Sequence, residues 1–107
     1  MDDLLAKFLP KFVAGARSSL AGAISAAAQD DQATTTKIAR DLHTLAGDAG
    51  LLGLTTVVPL AKQCEQQAKR LHPGRADAEV ELFVAALRQL ELVIEGIARG
   101  EPIKACP

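Results

Sequence analysis

The chain has 107 residues, 49% hydrophobic and 23% charged, enough for one globular core and no second one. Its 12 Lys+Arg against 13 Asp+Glu leave a net charge of -1, which provides no electrostatic footprint for nucleic acid or an anionic membrane. With 3 Phe and no Trp or Tyr, it also lacks the stacking platforms that bind exposed bases.

Alanine and leucine dominate, and the spacing predicts five helical segments, four of them long. Residues 2–8 read as a short first helix, with Pro10 as punctuation after it or in the first turn of the next. The second segment, about 10–28, carries Leu9, Phe12, Ala16, Leu20, Ile24 and Ala27 at helical intervals. Asp30 or Asp31 is available to cap the third, about 32–52, whose seam is Ile38, Leu42, Leu45, Ala49 and Leu52. Gly53 suits the left-handed turn that ends it. The fourth segment, about 56–71, takes Thr55 or Thr56 as cap, tolerates Pro59 in its first turn and carries Val57, Leu60, Cys64, Ala68 and Leu71.

His72-Pro73-Gly74-Arg75 is the clearest loop, and Asp77 is expected to cap the last helix. That helix carries Val80, Phe83, Leu87, Leu90, Ile94 and Ile97, and Gly100 and Pro102 stop it. Short connections make consecutive helices antiparallel neighbours. The expected fold is all-α: an antiparallel up-and-down four-helix bundle with a short N-terminal helix, a single domain over 1–107 with a frayed tail after about 100.

The cysteines and the termini narrow the setting. Cys64 reads as a buried thiol and Cys106 as a terminal one, in a reducing compartment. His43, Cys64, His72 and Cys106 are scattered singly, so no metal site is expected. The opening MDDLLAKFLPKF has neither the basic start nor the clean apolar run of a signal peptide. No stretch reaches the roughly 18 apolar residues of a membrane span. A cytoplasmic, monomeric protein is expected, and the start at Met1 and compact length suggest that it stands alone.

Chemistry concentrates at His43. At 100° per residue it lies roughly 140° from the seam centre and faces solvent. Its same-face neighbours are Thr36, Ala39, Arg40, Ala46, Gly47 and Gly50, mostly residues with little or no side chain. Each glycine inside a helix costs about 1 kcal/mol relative to alanine, so the pair is unexpected unless another macromolecule must approach the ring. The plain alternative is a solvated histidine on a fraying helix end. His72, at a helix terminus, reads as structural or neutral, and Lys62, Lys69 and Arg70 as a solvated face.

The run Leu42-His43-Thr44-Leu45-Ala46-Gly47-Asp48-Ala49-Gly50-Leu51-Leu52-Gly53-Leu54 resembles the signature of histidine-containing phosphotransfer domains, with His43, Leu45, Gly47, Gly53 and Leu54 matching. The likeness extends over the flanking helices and the total length. It departs at Ala46, where the family carries lysine three residues after the histidine. The resemblance implies a phosphorelay intermediate: His43 takes a phosphoryl group from a receiver-domain aspartate or a kinase relay and passes it to another receiver. Arg40 would supply the missing charge, Glu65 would orient the imidazole through its Nδ1–H, and Ala39, Ala46, Gly47 and Gly50 would form the access surface.

The implied partners are response-regulator receivers and a hybrid histidine kinase, with no nucleic acid and no membrane. The chain itself would need no cofactor, Mg²⁺ belonging to the receiver's acidic pocket. With no phosphate-binding glycine loop, it would be a phosphoryl carrier without kinase activity of its own. A helical module that binds a receiver or kinase without accepting phosphate is the alternative, favoured by Ala46. A homodimeric structural bundle is a third reading.

Overall fold

A computed structural model describes residues 3–29, 31–71 and 74–100, with the side chains of residues 3 and 4 left aside. Four helices account for most of it: α1 (Asp3–Ala26), α2 (Gln32–Leu51), α3 (Val57–Arg70) and α4 (Asp77–Ala98). The expected short first helix is not separate; α1 runs through Pro10 without a break. Proline lacks an N–H and leaves the carbonyl of Ala6 without its helical partner. Both residues are exposed, so water can satisfy that carbonyl and the helix continues. Asp30, His72, Pro73, Pro102 and Cys106, each read from the sequence above, lie outside the described residues.

Asp31, Gly53 and Gly100, which takes φ +90 just past α4, follow the expected chemistry of helix ends, and Thr56 and Asp77 do not. Asp31 caps α2, accepting from Ala33 N–H at 3.3 Å and from the Thr34 hydroxyl at 2.7 Å. At the other end Gly53 takes φ +71, a conformation that favours glycine. Leu54 N–H then bonds Ala49 C=O at 2.9 Å and Gly53 N–H bonds Gly50 C=O at 3.2 Å, a Schellman closure that drives Leu54 into the core at 0% exposure. By contrast, Thr56 precedes α3 with helical backbone angles and no side-chain cap bond, and Asp77 is the first residue of α4 instead of its cap. Asp77 and Glu79 still place negative charge in the first turn of α4, where the helix dipole favours it.

Among the described residues α1 packs on α2, α2 on α3, α3 on α4 and α4 back on α1, and the backbones of diagonal helices do not approach closely. The core they enclose is built from Phe12, Leu20, Leu42, Leu54, Phe83, Leu87, Leu90 and Ile94 with small residues between them. α2 buries a wider arc than its predicted seam, because Thr35, Ala39 and Ala46 are buried as well. Cys64 is among the core residues, and burial pushes its thiol up to about 11. A bidentate pair, Arg17 to Glu95 at 2.6 and 2.7 Å, ties α1 to α4 at the surface. No described helix is long and apolar enough to cross a membrane.

Candidate functional site

The register of α2 against α3 sets the site. A Cβ placed on Gly50 would meet Val58 at 4.0 Å, and His43 Nδ1 lies 3.1 Å from Glu65 Oε2. Seven residues back along α2 correspond to seven forward along α3, so the two helices are antiparallel and His43 faces Glu65 across their seam.

Angles around α2 explain the surroundings of the ring. Relative to His43, Ala46, Ala39 and Gly50 fall roughly 60°, 40° and 20° to one side; Thr36, Gly47 and Arg40 fall roughly 20°, 40° and 60° to the other. The first side is the one that α3 covers. Ala39 and Ala46, read from the sequence as open access surface, are therefore buried at 8% and 5% exposure. Gly47 and Gly50 are exposed, and a Cβ at Gly47 would meet nothing within 4 Å. Packing thus demands glycine at neither position. Gly15 and Gly22 of α1 are equally open, so it is the pairing with His43 that sets Gly47 and Gly50 apart.

The imidazole is fixed from one edge only. Its Nδ1 lies 3.1 and 3.3 Å from the two oxygens of Glu65, while the side chain remains 77% exposed. An ionised carboxylate can only accept, so the proton between them sits on Nδ1 and Nε2 carries the free lone pair. Glu65 itself is 7% exposed and receives a second donor, the Lys69 ammonium, at 3.0 Å. Burial disfavours its charge, but the bonds from Lys69 and His43 outweigh that and hold the carboxyl below the ordinary glutamate range.

Beside the ring runs an open groove of about 460 Å³ with Gln32, Thr36, Arg40 and Lys69 on its walls. Arg40 shares this groove with His43, one turn away on α2. Lys69, which reads as a solvated residue in the sequence, belongs to the site. The signal was its spacing four residues after Glu65, which puts both on one helix face. Among the described residues no cluster of three His, Cys, Asp or Glu is disposed to hold a metal ion.

A histidine exposed at mid-helix, steadied by a buried carboxylate and flanked by bare backbone, can give up Nε2 to an electrophile without disturbing the core. No curated protein and no solved structure matches the chain. The model of the Hpt domain does, over residues 7–99, and with that coverage the protein belongs to the Hpt domain family, whose members carry out histidine phosphotransfer in phosphorelays.

Proposed function

We propose that His43 is the phosphoryl-accepting residue and that the chain relays the group between receiver domains. The observation that carries this is the exposed imidazole with its Nδ1 bonded to Glu65, which leaves Nε2 as the nucleophile. The Nε2 lone pair attacks the phosphorus of a receiver aspartyl phosphate in line. The bond from phosphorus to the aspartyl oxygen breaks, and its electron pair returns to the aspartate carboxylate. Positive charge then develops on a ring that keeps its Nδ1 proton, and Glu65 lies where it stabilises that charge. Transfer to the next receiver reverses these steps. Arg40 and Lys69 supply cations on this side of the contact, and a Mg²⁺ ion held by the receiver's acidic pocket would offset phosphoryl charge on the other.

The test is phosphorylation of the full chain with a small phosphoramidate donor and with labelled receiver domains, followed by acid and base treatment. An acid-labile, base-stable label is expected on the protein and absent from His43→Gln. The substitution is expected to keep the fold at a cost of about 0.5 to 1.5 kcal/mol, because the position is exposed but the bond to the buried Glu65 carboxylate is altered. A chain that binds a phosphorylated receiver yet takes no label would instead be a phosphate-independent interaction module.

A further inference from the structure

We propose that Lys69 is a positioning residue for His43: by bonding the shared carboxylate of Glu65, it holds the imidazole in the Nδ1–H tautomer. This rests on the reading of His43 as the phosphoryl acceptor. One oxygen does the joining, since Glu65 Oε2 lies 3.0 Å from Lys69 Nζ and 3.1 Å from His43 Nδ1.

Each end of the chain of contacts has a physical reason. Glu65 is buried, and a carboxylate out of water holds its charge only with donors around it. His43 supplies one donor when neutral, and its exposed ring can rotate away at little cost. Lys69 supplies the donor that is independent of the ring. Glutamate followed by lysine four residues later is the favourable order on a helix, and Lys69 sits in the last turn of α3, where the dipole favours a cation. Its Nζ therefore reaches Glu65 from a rigid element, and the carboxylate stays aimed at α2 whether or not the ring is engaged.

The consequence is directional. A solvated imidazole exchanges its proton between two nitrogens, and only the form with Nδ1–H has a lone pair at Nε2 to attack phosphorus. Loosening Glu65 lets the ring spend more time in the unreactive form. Position 46 is a buried alanine, so no cation approaches the ring from there, and the ammonium bonded to Glu65 arrives from α3. Arg40 also carries charge into the groove, but its contacts do not include Glu65.

The experiment reads the tautomer directly. Ring ¹⁵N shifts of His43 are measured on the full chain, above the pH where the imidazole is protonated, alongside the rate of label uptake from a phosphoramidate donor. Lys69→Met keeps the aliphatic stem and is expected to move the shifts toward the Nε2–H form and to slow uptake about three- to fivefold, the scale of one part-exposed ion pair. Lys69→Arg, which restores a donor to the carboxylate, is expected to recover both. Lys62→Met makes the same change of net charge elsewhere on α3 and is expected to leave the ring shifts unaltered. Wild-type ring shifts in Lys69→Met overturn the proposal, and so does a shift of equal size in Lys62→Met. An unmodified chain that takes up no label overturns the acceptor reading instead, while its ring shifts still decide the role of Lys69.

Discussion

Two kinds of residue make the surface around His43, and they lie on opposite flanks of the helix. Thr36, Arg40 and Gly47 lie on the flank away from α3 and are exposed. Ala39 and Ala46 are small for a different reason, because α3 crosses over them. The sequence shows which residues share a face with His43, since that follows from 100° per residue. It does not show which edge of that face a neighbouring helix covers, since this depends on residues of α3 distant in the chain, as Glu65 is 22 residues from His43. For the same reason the bond from Glu65 is legible only through the family resemblance, and Lys69 reads only as part of a solvated face. The open position gives a prediction of its own. Gly47→Gln is expected to raise stability by up to about 1 kcal/mol, because nothing obstructs the new side chain and glycine is a poor helix former. The same variant is expected to accept phosphate more slowly from a receiver domain, whose approach it crowds, but not from a small phosphoramidate donor. Equal rates of receiver transfer in the variant and the unmodified chain would mean that Gly47 does not serve access.

Helix existence follows from apolar spacing, whereas helix ends follow from local polar chemistry, and the four helices divide along that line. Asp31 and Gly53 are read correctly because each does something its residue type does well: a carboxylate accepting N–H, and a backbone at φ +71. Thr56 and Asp77 are equally good candidates by type, but Thr56 enters α3 with helical backbone angles and no cap bond, and α4 begins one residue early, which puts Ala76 in the cap position and Asp77 inside the helix. Pro10 reads as a break because a proline removes one bond from the helix ladder. The loss is local, and Leu5, Phe12, Val13 and Ala16 on either side of it keep α1 seated on the core. The Asp31 cap also predicts a pH dependence. The Thr34 hydroxyl and the Ala33 N–H hold its carboxyl below the ordinary aspartate value of about 3.9. A carboxyl depressed in the folded state stabilises above its unfolded pKa, and that contribution is lost as pH falls through the folded one. Asp31→Asn keeps an acceptor at the cap but does not titrate. The unmodified chain is therefore expected to melt above the variant at pH 7, with the gap closing as pH falls below about 4. Thermal melts of both proteins across that range check it, and a gap that stays constant with pH would remove the carboxylate charge from the account.

Four helices in a ring leave the ends of the bundle to the loops, and one side chain joins two of them. Short connections already predict which helices are neighbours, and that part of the architecture is legible in the sequence. Arg75 is not, because its partners lie 40 to 48 residues earlier in the chain. Standing between α3 and α4, it donates to the carbonyls of Ala27 and Gln29 just past the end of α1, and at 3.2 Å to the Thr35 hydroxyl in the first turn of α2. The Thr35 hydroxyl donates in turn to Asp31 C=O at 3.2 Å, so one guanidinium fastens the exit of α1 and the entry of α2 to the loop before α4. A planar fork of donors can serve three acceptors at once, which a lysine ammonium on a flexible stem does less well. Arg75→Ala removes charge-assisted bonds from a half-buried position. The expected cost is about 1 to 2 kcal/mol after allowance for water at the exposed carbonyl of Gln29. In a domain of this size that corresponds to a fall in Tm of roughly 4 to 12 °C. Arg75→Lys is expected to recover only part of it. His43, Glu65 and Lys69 make none of these bonds, so phosphoryl uptake by the folded variant is expected to match that of the unmodified chain at low temperature. Circular dichroism melts and label uptake at 10 °C give the two measurements. A Tm within about 1 °C of the unmodified chain would mean that water replaces the guanidinium at no cost, and that the bundle end is held by its apolar contacts alone.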